Sequence, residues 1–158
     1  MPPVETKNFE SIAAFLGFSS FVIRLLSEHK PSHISFAFDE SLGTCFRNKI
    51  YPDYKKTREI APDELKKQFE LCREFLTILG LDNHASNYYE ADDIINTLAF
   101  NVRKSDHNCL ILTNDKDLYQ LIYPGDIWWD YKNKIFSYKD LKDHLGFAPQ
   151  NLSDFLGL

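Results

Sequence analysis

Three carboxylates, Glu90, Asp92 and Asp93, stand within four residues in YYEADDIINTLAF, immediately before an apolar run. Like charges that close raise one another's pKa and destabilise a fold unless a cation or a helix terminus compensates them. Three further acids follow apolar stretches. Asp39 closes HISFAFD, and Asp115 and Asp117 follow CLILT. Any one of the six has an ordinary structural explanation, as a helix cap or a turn residue. Six together fit better with a bound divalent cation. An oxygen-only ligand set selects Mg²⁺ or Mn²⁺, whereas zinc wants Cys or His at defined spacing. His29, His33, His84, His107 and His144 make no such pattern, nor do Cys45, Cys72 and Cys109. Carboxylate-held ions that keep several waters serve phosphoryl chemistry, often as two ions ~4 Å apart.

A second segment supplies the complementary charge. CFRNKIYPDYKKTRE places Arg47, Lys49, Lys55, Lys56 and Arg58 among Phe46, Tyr51 and Tyr54. Between Phe46 and Arg58 five bases face the single acid Asp53, a local charge of +4 in a chain whose net charge is −5. The rest of the chain therefore carries −9. One basic segment on an acidic body says more than the total does. Lys and Arg neutralise phosphates, and aromatic rings stack on unpaired bases at ~1–3 kcal/mol per base. The plain alternative is a solvated loop whose aromatics tuck into the core.

The elements that must position these residues can be read from periodicity. At 158 residues the chain has the size of one domain, taken as 1–158, and its 44% apolar and 15% aromatic content is ample for a core. No apolar run approaches the ~20 residues of a membrane span, and the N-terminus lacks a signal peptide's regions. Scattered cysteines, odd in number, point to a reducing cytoplasm.

Helical spacing runs from Phe9 to His29 and stops before Pro31. HISFAFD reads as a buried strand, and Glu40 to Ala61 as mostly loop. Pro62 opens a helix that runs to Leu79, with Gly80 as its stop and Leu65, Phe69, Cys72, Leu76 and Leu79 on one face. LDNHAS is a weak strand candidate. A helix spans Ala91 to Lys104, with Ile94, Ile95, Leu98, Ala99 and Val102 inward. CLILT and DIWWDY read as strands, NDKDLYQLI as a loop and short helix, and Tyr138 to Leu145 as a helix closed by Gly146. Alternating strands and helices predict an α/β fold with a mainly parallel sheet, whose working residues lie beyond the carboxyl ends of its strands. That rule brings the six acids toward one edge.

SHISFAFD, FRNKIYPDYKKTRE, YEADDIINTLAF and LILTNDKDLYQLI, in this order and spacing, resemble the 5′-nuclease family. This family comprises the 5′–3′ exonuclease domain of bacterial DNA polymerase I and the flap endonucleases. The resemblance covers nearly the whole chain. It implies a PIN-like (resolvase-like) three-layer α/β fold and Mg²⁺-dependent hydrolysis of DNA phosphodiesters near 5′ ends, flaps or nicks, in replication and repair. By position it implies Asp39, Glu90, Asp92 and Asp93 as ligands of a first metal, and Asp115 and Asp117 as ligands of a second. Lys55 and Arg58 resemble the catalytic cations at the scissile phosphate. Tyr54 resembles the aromatic beside them, Arg47 a backbone contact, and Lys56 joins this DNA-binding set. No small-molecule cofactor and no membrane partner is implied.

The chain also departs from that pattern. Family members begin with a central strand bearing a metal-binding Asp, and continue after this chain's end with further acids and a helical DNA-binding module. MPPV resembles the segment after that first strand and its helix, so truncation at both ends is expected. The rival expectations are a noncatalytic nucleic-acid-binding remnant and a PIN-type ribonuclease.

Overall fold

The structure is a computed structural model that describes residues 12–40, 44–57 and 61–157. Its contacts divide the chain into two compact units, Met1–Glu90 and Ala91–Leu158. Among the described residues no helix is long and apolar enough to cross a membrane.

The first unit is built on helix α1 (Ala13–His29), strand β1 (Ser35–Asp39), a short helix α2 (Phe46–Ile50), helix α3 (Asp63–Ile78) and strand β2 (Asp82–Ser86). β1 and β2 run parallel, with Ser35 opposite Asp82 and Asp39 opposite Ser86. HISFAFD and LDNHAS are thus the two strands, and Asp39 ends the first, as the sequence predicts. α1 packs against α3, with Phe15 and Phe75 edge to face at 5.9 Å, and Val22 and Leu25 of α1 and Cys72 and Leu76 of α3 are buried.

The buried face of α3 differs from the one the sequence predicts. Phe69 and Leu79 are each 45% exposed, while polar Gln68 is buried. The reason is a helix end. Ile12, ahead of α1, offers no side-chain cap, and the side-chain Oε1 of Gln68 accepts instead from the backbone N–H groups of Ala14 (2.8 Å) and Phe15 (3.2 Å). Orphan donors in a first helical turn need such a partner, and this one rotates α3 toward them.

The second unit contains α4 (Ala91–Lys104), β3 (Leu110–Leu112), a 3₁₀ turn at Asp117–Leu121, β4 (Ile127–Trp129), β5 (Ile135–Ser137), α5 (Tyr138–Leu145) and α6 (Leu152–Leu156). β3 pairs parallel with β4, and β4 antiparallel with β5. β5 is a strand that the sequence reading does not contain, lying between DIWWDY and the helix from Tyr138. Asp130 makes it possible: its Oδ1 accepts from the N–H groups of Lys132, Asn133 and Lys134, which folds the chain back within a few residues. α5 then starts with a full capping box, Ser137 and Asp140 each bonding the other's backbone.

The core of this unit gathers Ala99, Ile111, Leu118, Tyr119, Ile122, Trp128, Leu141 and Leu152. Tyr119 and Trp128 meet edge to face at 4.8 Å. On α4 the bounds agree with the sequence reading, but Val102 is 38% exposed and Ala99 is the fully buried position. Asp126, 1% exposed, is the buried anion of the unit. It accepts from Arg103 Nε (2.8 Å) and from the backbone N–H groups of Cys109 (2.8 Å) and Tyr123 (2.9 Å). Every side of the carboxylate is occupied, so its burial is compensated.

Candidate active site

The basic segment is mostly loop, as the sequence predicts, with one short helix at its start. Phe46–Ile50 is helical, and its first N–H, that of Phe46, donates to the Tyr88 carbonyl at 3.0 Å. Thr44 Oγ1 donates to the Asn87 carbonyl at 2.6 Å. These two bonds fasten the start of the basic segment to the turn that carries Glu90. The segment then runs through a series of turns. Asn48 holds them with a bond from its amide to the Tyr54 carbonyl at 2.9 Å.

Glu90 is the centre of what results. It is 6% exposed, and its oxygens accept from Lys55 Nζ at 2.6 Å and the Tyr54 hydroxyl at 3.1 Å, with Arg47 Nη1 at 3.4 Å. Lys55 reaches this position from a left-handed backbone, φ 53°. A non-glycine residue held there costs on the order of 1 kcal/mol, which the charge-assisted bond to Glu90 offsets. Desolvation pulls the Lys55 pKa down, but the Glu90 hydrogen bond and charge outweigh it and hold the ammonium above the ordinary lysine range. Burial, then the hydrogen bond to Glu90, push the Tyr54 hydroxyl up. Lys55 and Tyr54 are thus both held in their protonated forms beside one carboxylate.

Asp39 is exposed at the carboxyl end of β1. Asp92 and Asp93 lie half-buried in the first turn of α4. Asp115 and Asp117 follow β3 and are both exposed. The Asp117 N–H donates to Asp115 Oδ1 at 2.9 Å, so Asp115 opens the 3₁₀ turn while keeping its second oxygen for other partners. Lys56 is exposed and paired with Asp53 at 2.9 Å. Arg58 lies outside the described residues.

The structure therefore brings Arg47, Tyr54, Lys55 and Glu90 together in the first unit. Among the described residues no three His, Cys, Asp or Glu side chains converge on a point that could hold a metal ion. The donor chemistry suits a hard divalent cation, but Glu90 here is the counter-ion of the basic segment. Sequence reading missed this pairing. Its only signal was the excess of cations between Phe46 and Arg58, which calls for an anion somewhere in the fold.

A parallel strand pair joined by a helical crossover, with acids at or beyond the strand ends and half-buried cations around Glu90, has the layout of a resolvase-like α/β domain. Residues 1–146 match the family described as "5'-3' exonuclease, N-terminal resolvase-like domain", and the chain belongs to that family. It is 34% identical over 160 residues to DNA polymerase I of Mycobacterium bovis, covering 98% of this chain and 18% of that protein. It is 33% identical to a 5'-3' exonuclease of Aquifex aeolicus, covering 100% of this chain and 55% of the relative. The chain thus spans only part of the length of both. Among solved structures, the T5 5'-exonuclease with bound zinc ions superposes with a TM-score of 0.59 at 15% identity, over 82% of this chain and 52% of that one. A bacteriophage T5 flap endonuclease complexed with DNA and metal ions gives 0.54 at 12% identity, over 87% of this chain and 56% of that one. The fold is the one the sequence predicts.

Proposed function

We propose that this chain is the catalytic core of a 5′–3′ exonuclease or flap endonuclease, hydrolysing DNA phosphodiesters near 5′ ends, flaps or nicks, with residues 1–158 acting as one PIN-like core. The observation that supports this most is the Lys55–Tyr54–Arg47 cluster around buried Glu90, in a chain of this family. Lys55 and Arg47 are cations already gathered within reach of one anion, the arrangement a phosphate also requires. Lys55 and Arg58 contact the scissile phosphate in this reading, Arg47 and Lys56 hold neighbouring phosphates, and Tyr54 orients Lys55. Asp39, Glu90, Asp92 and Asp93 are the proposed ligands of one divalent ion, and Asp115 and Asp117 those of a second. Mg²⁺ or Mn²⁺ is the preferred metal, and when bound it supplies an activated water and charge neutralisation at the phosphate.

The test is release of a label from a 5′-flap DNA by the purified chain, with Mg²⁺ or Mn²⁺ and with a chelator, beside a D92N/D93N double variant. Metal-dependent release that the double variant lacks is the expected result. A folded chain that binds the flap but never cuts it would instead support the second reading, a noncatalytic DNA-binding module.

A further inference from the structure

Two exposed tyrosines lie immediately before Glu90 and have no part in the scheme above. Tyr88 is 40% exposed and Tyr89 49% exposed. Their rings meet at 5.0 Å, nearly perpendicular, and Phe46 of α2 lies 5.9 Å from each. Cations border this aromatic group. Lys49 Nζ sits 4.8 Å from the Tyr88 ring centre, and the Arg47 guanidinium 4.6 Å from that of Phe46. The nearest acid in sequence, Glu90, is buried and neutralised by its own cations.

The backbone beneath the rings is tied down. Ser86 Oγ accepts from the N–H groups of both Tyr88 (3.0 Å) and Tyr89 (3.1 Å), and the Tyr88 carbonyl accepts from Phe46 N–H at 3.0 Å. A surface that leaves two large rings exposed, on a fixed backbone and beside cations, has met the ordering cost of a binding site in advance. The ligand it fits is planar and apolar on its faces, with negative charge on either side. Paired bases hide their faces inside the duplex, so the fit is to unpaired nucleotides.

We propose that Tyr88, Tyr89 and Phe46, flanked by Lys49, form a stacking platform for unpaired bases of a DNA strand. The proposal rests on the nuclease reading and deepens it. It names single-stranded nucleotides beside the basic segment as part of the recognised substrate, with stacking rather than hydrogen bonding as the means. The platform is therefore indifferent to base identity.

The experiment uses fluorescence anisotropy in a chelator, comparing a labelled oligothymidylate with a strand of equal length whose sugars carry no bases. The wild-type chain binds the base-bearing strand about 5- to 100-fold more tightly. Tyr89→Ala and Tyr88→Ala each lose most of that preference, Tyr88→Phe keeps it, and Lys49→Ala lowers the salt slope by about 0.7 without abolishing it. Equal wild-type affinity for the two strands overturns the platform, and needs no variant to be folded. So does an unchanged preference in Tyr88→Ala and Tyr89→Ala proteins that melt like the wild type. The same preparations are then given metal and a flap substrate. Cutting without base preference defeats the platform alone, whereas base preference without cutting keeps the platform and defeats the nuclease reading.

Discussion

The two buried carboxylates, Glu90 in the first unit and Asp126 in the second, solve the same problem with different materials. Both lie at or below 6% exposure, and both are met by arginine. Asp126 takes its other bonds from backbone N–H groups of Cys109 and Tyr123, which a fold cannot move without unfolding locally. Glu90 is met by the ends of side chains, Lys55, Tyr54 and Arg47, which can change partner by rotating about single bonds. An anion held by backbone is a structural member. One held by long cationic side chains is a counter-ion that a phosphate can replace.

The contrast can be broken most decisively at Asp126. Asp126→Ala leaves Arg103 and two backbone donors without their acceptor, and should cost roughly 3–5 kcal/mol in denaturant unfolding. A loss under ~1 kcal/mol would show that Asp126 carries no more structure than a surface acid. Glu90→Gln should cost less, about 1–3 kcal/mol, because the amide oxygen still accepts and the freed cations can turn to solvent. In chelator it should also bind DNA more tightly and with a steeper salt dependence, since a negative charge has left the basic cluster. A variant that is less stable and yet binds better is the signature of a counter-ion; weaker binding would count against that role.

The pH profile sharpens the same distinction by a smaller amount. Lys55 is raised in the folded state, so its contribution is complete below the ordinary lysine value of about 10.4 and is lost as pH rises through the higher folded value. The Lys55→Ala protein should therefore lack the part of the alkaline destabilisation that this group causes in the wild type. On the acid side Asp130 is lowered, chiefly by the N–H of Lys134, and Asp140 by the Ser137 hydroxyl. Their contributions are present above about pH 3.9 and disappear as pH falls through the folded values. The smallest effect belongs to the α5 cap, where Ser137→Ala should cost ~1 kcal/mol in thermal unfolding.

Much of the fold could be read because local signals agreed with tertiary demands. α4 has acids in its first turn, Ile94, Ile95, Leu98 and Ala99 at helical spacing, and Arg103 and Lys104 at its end, so its bounds match from Ala91 to Lys104. α2 could not be read, because five residues cannot sustain a helix alone; the carbonyl of Tyr88, far along the chain, supports its start. β5 is three residues long and owes its place to the Asp130 turn. The site was legible as a list of acids and cations, and not as pairings. Lys55 and Glu90 are 35 positions apart, and no local rule joins them. Periodicity puts Phe69 on the apolar face and gives no sign that Gln68 is buried, because the missing cap on α1 is invisible from within α3.

That cap has a consequence for exchange. The amides of Ala14 and Phe15 belong to a first helical turn, where N–H groups ordinarily exchange with solvent almost without hindrance. Here they are bonded to a glutamine 54 and 53 positions away. Their deuterium uptake should therefore follow the opening of the α1–α3 contact rather than fraying of the helix end, and Gln68→Ala should restore fast exchange at those two amides while the middle of α1 stays protected.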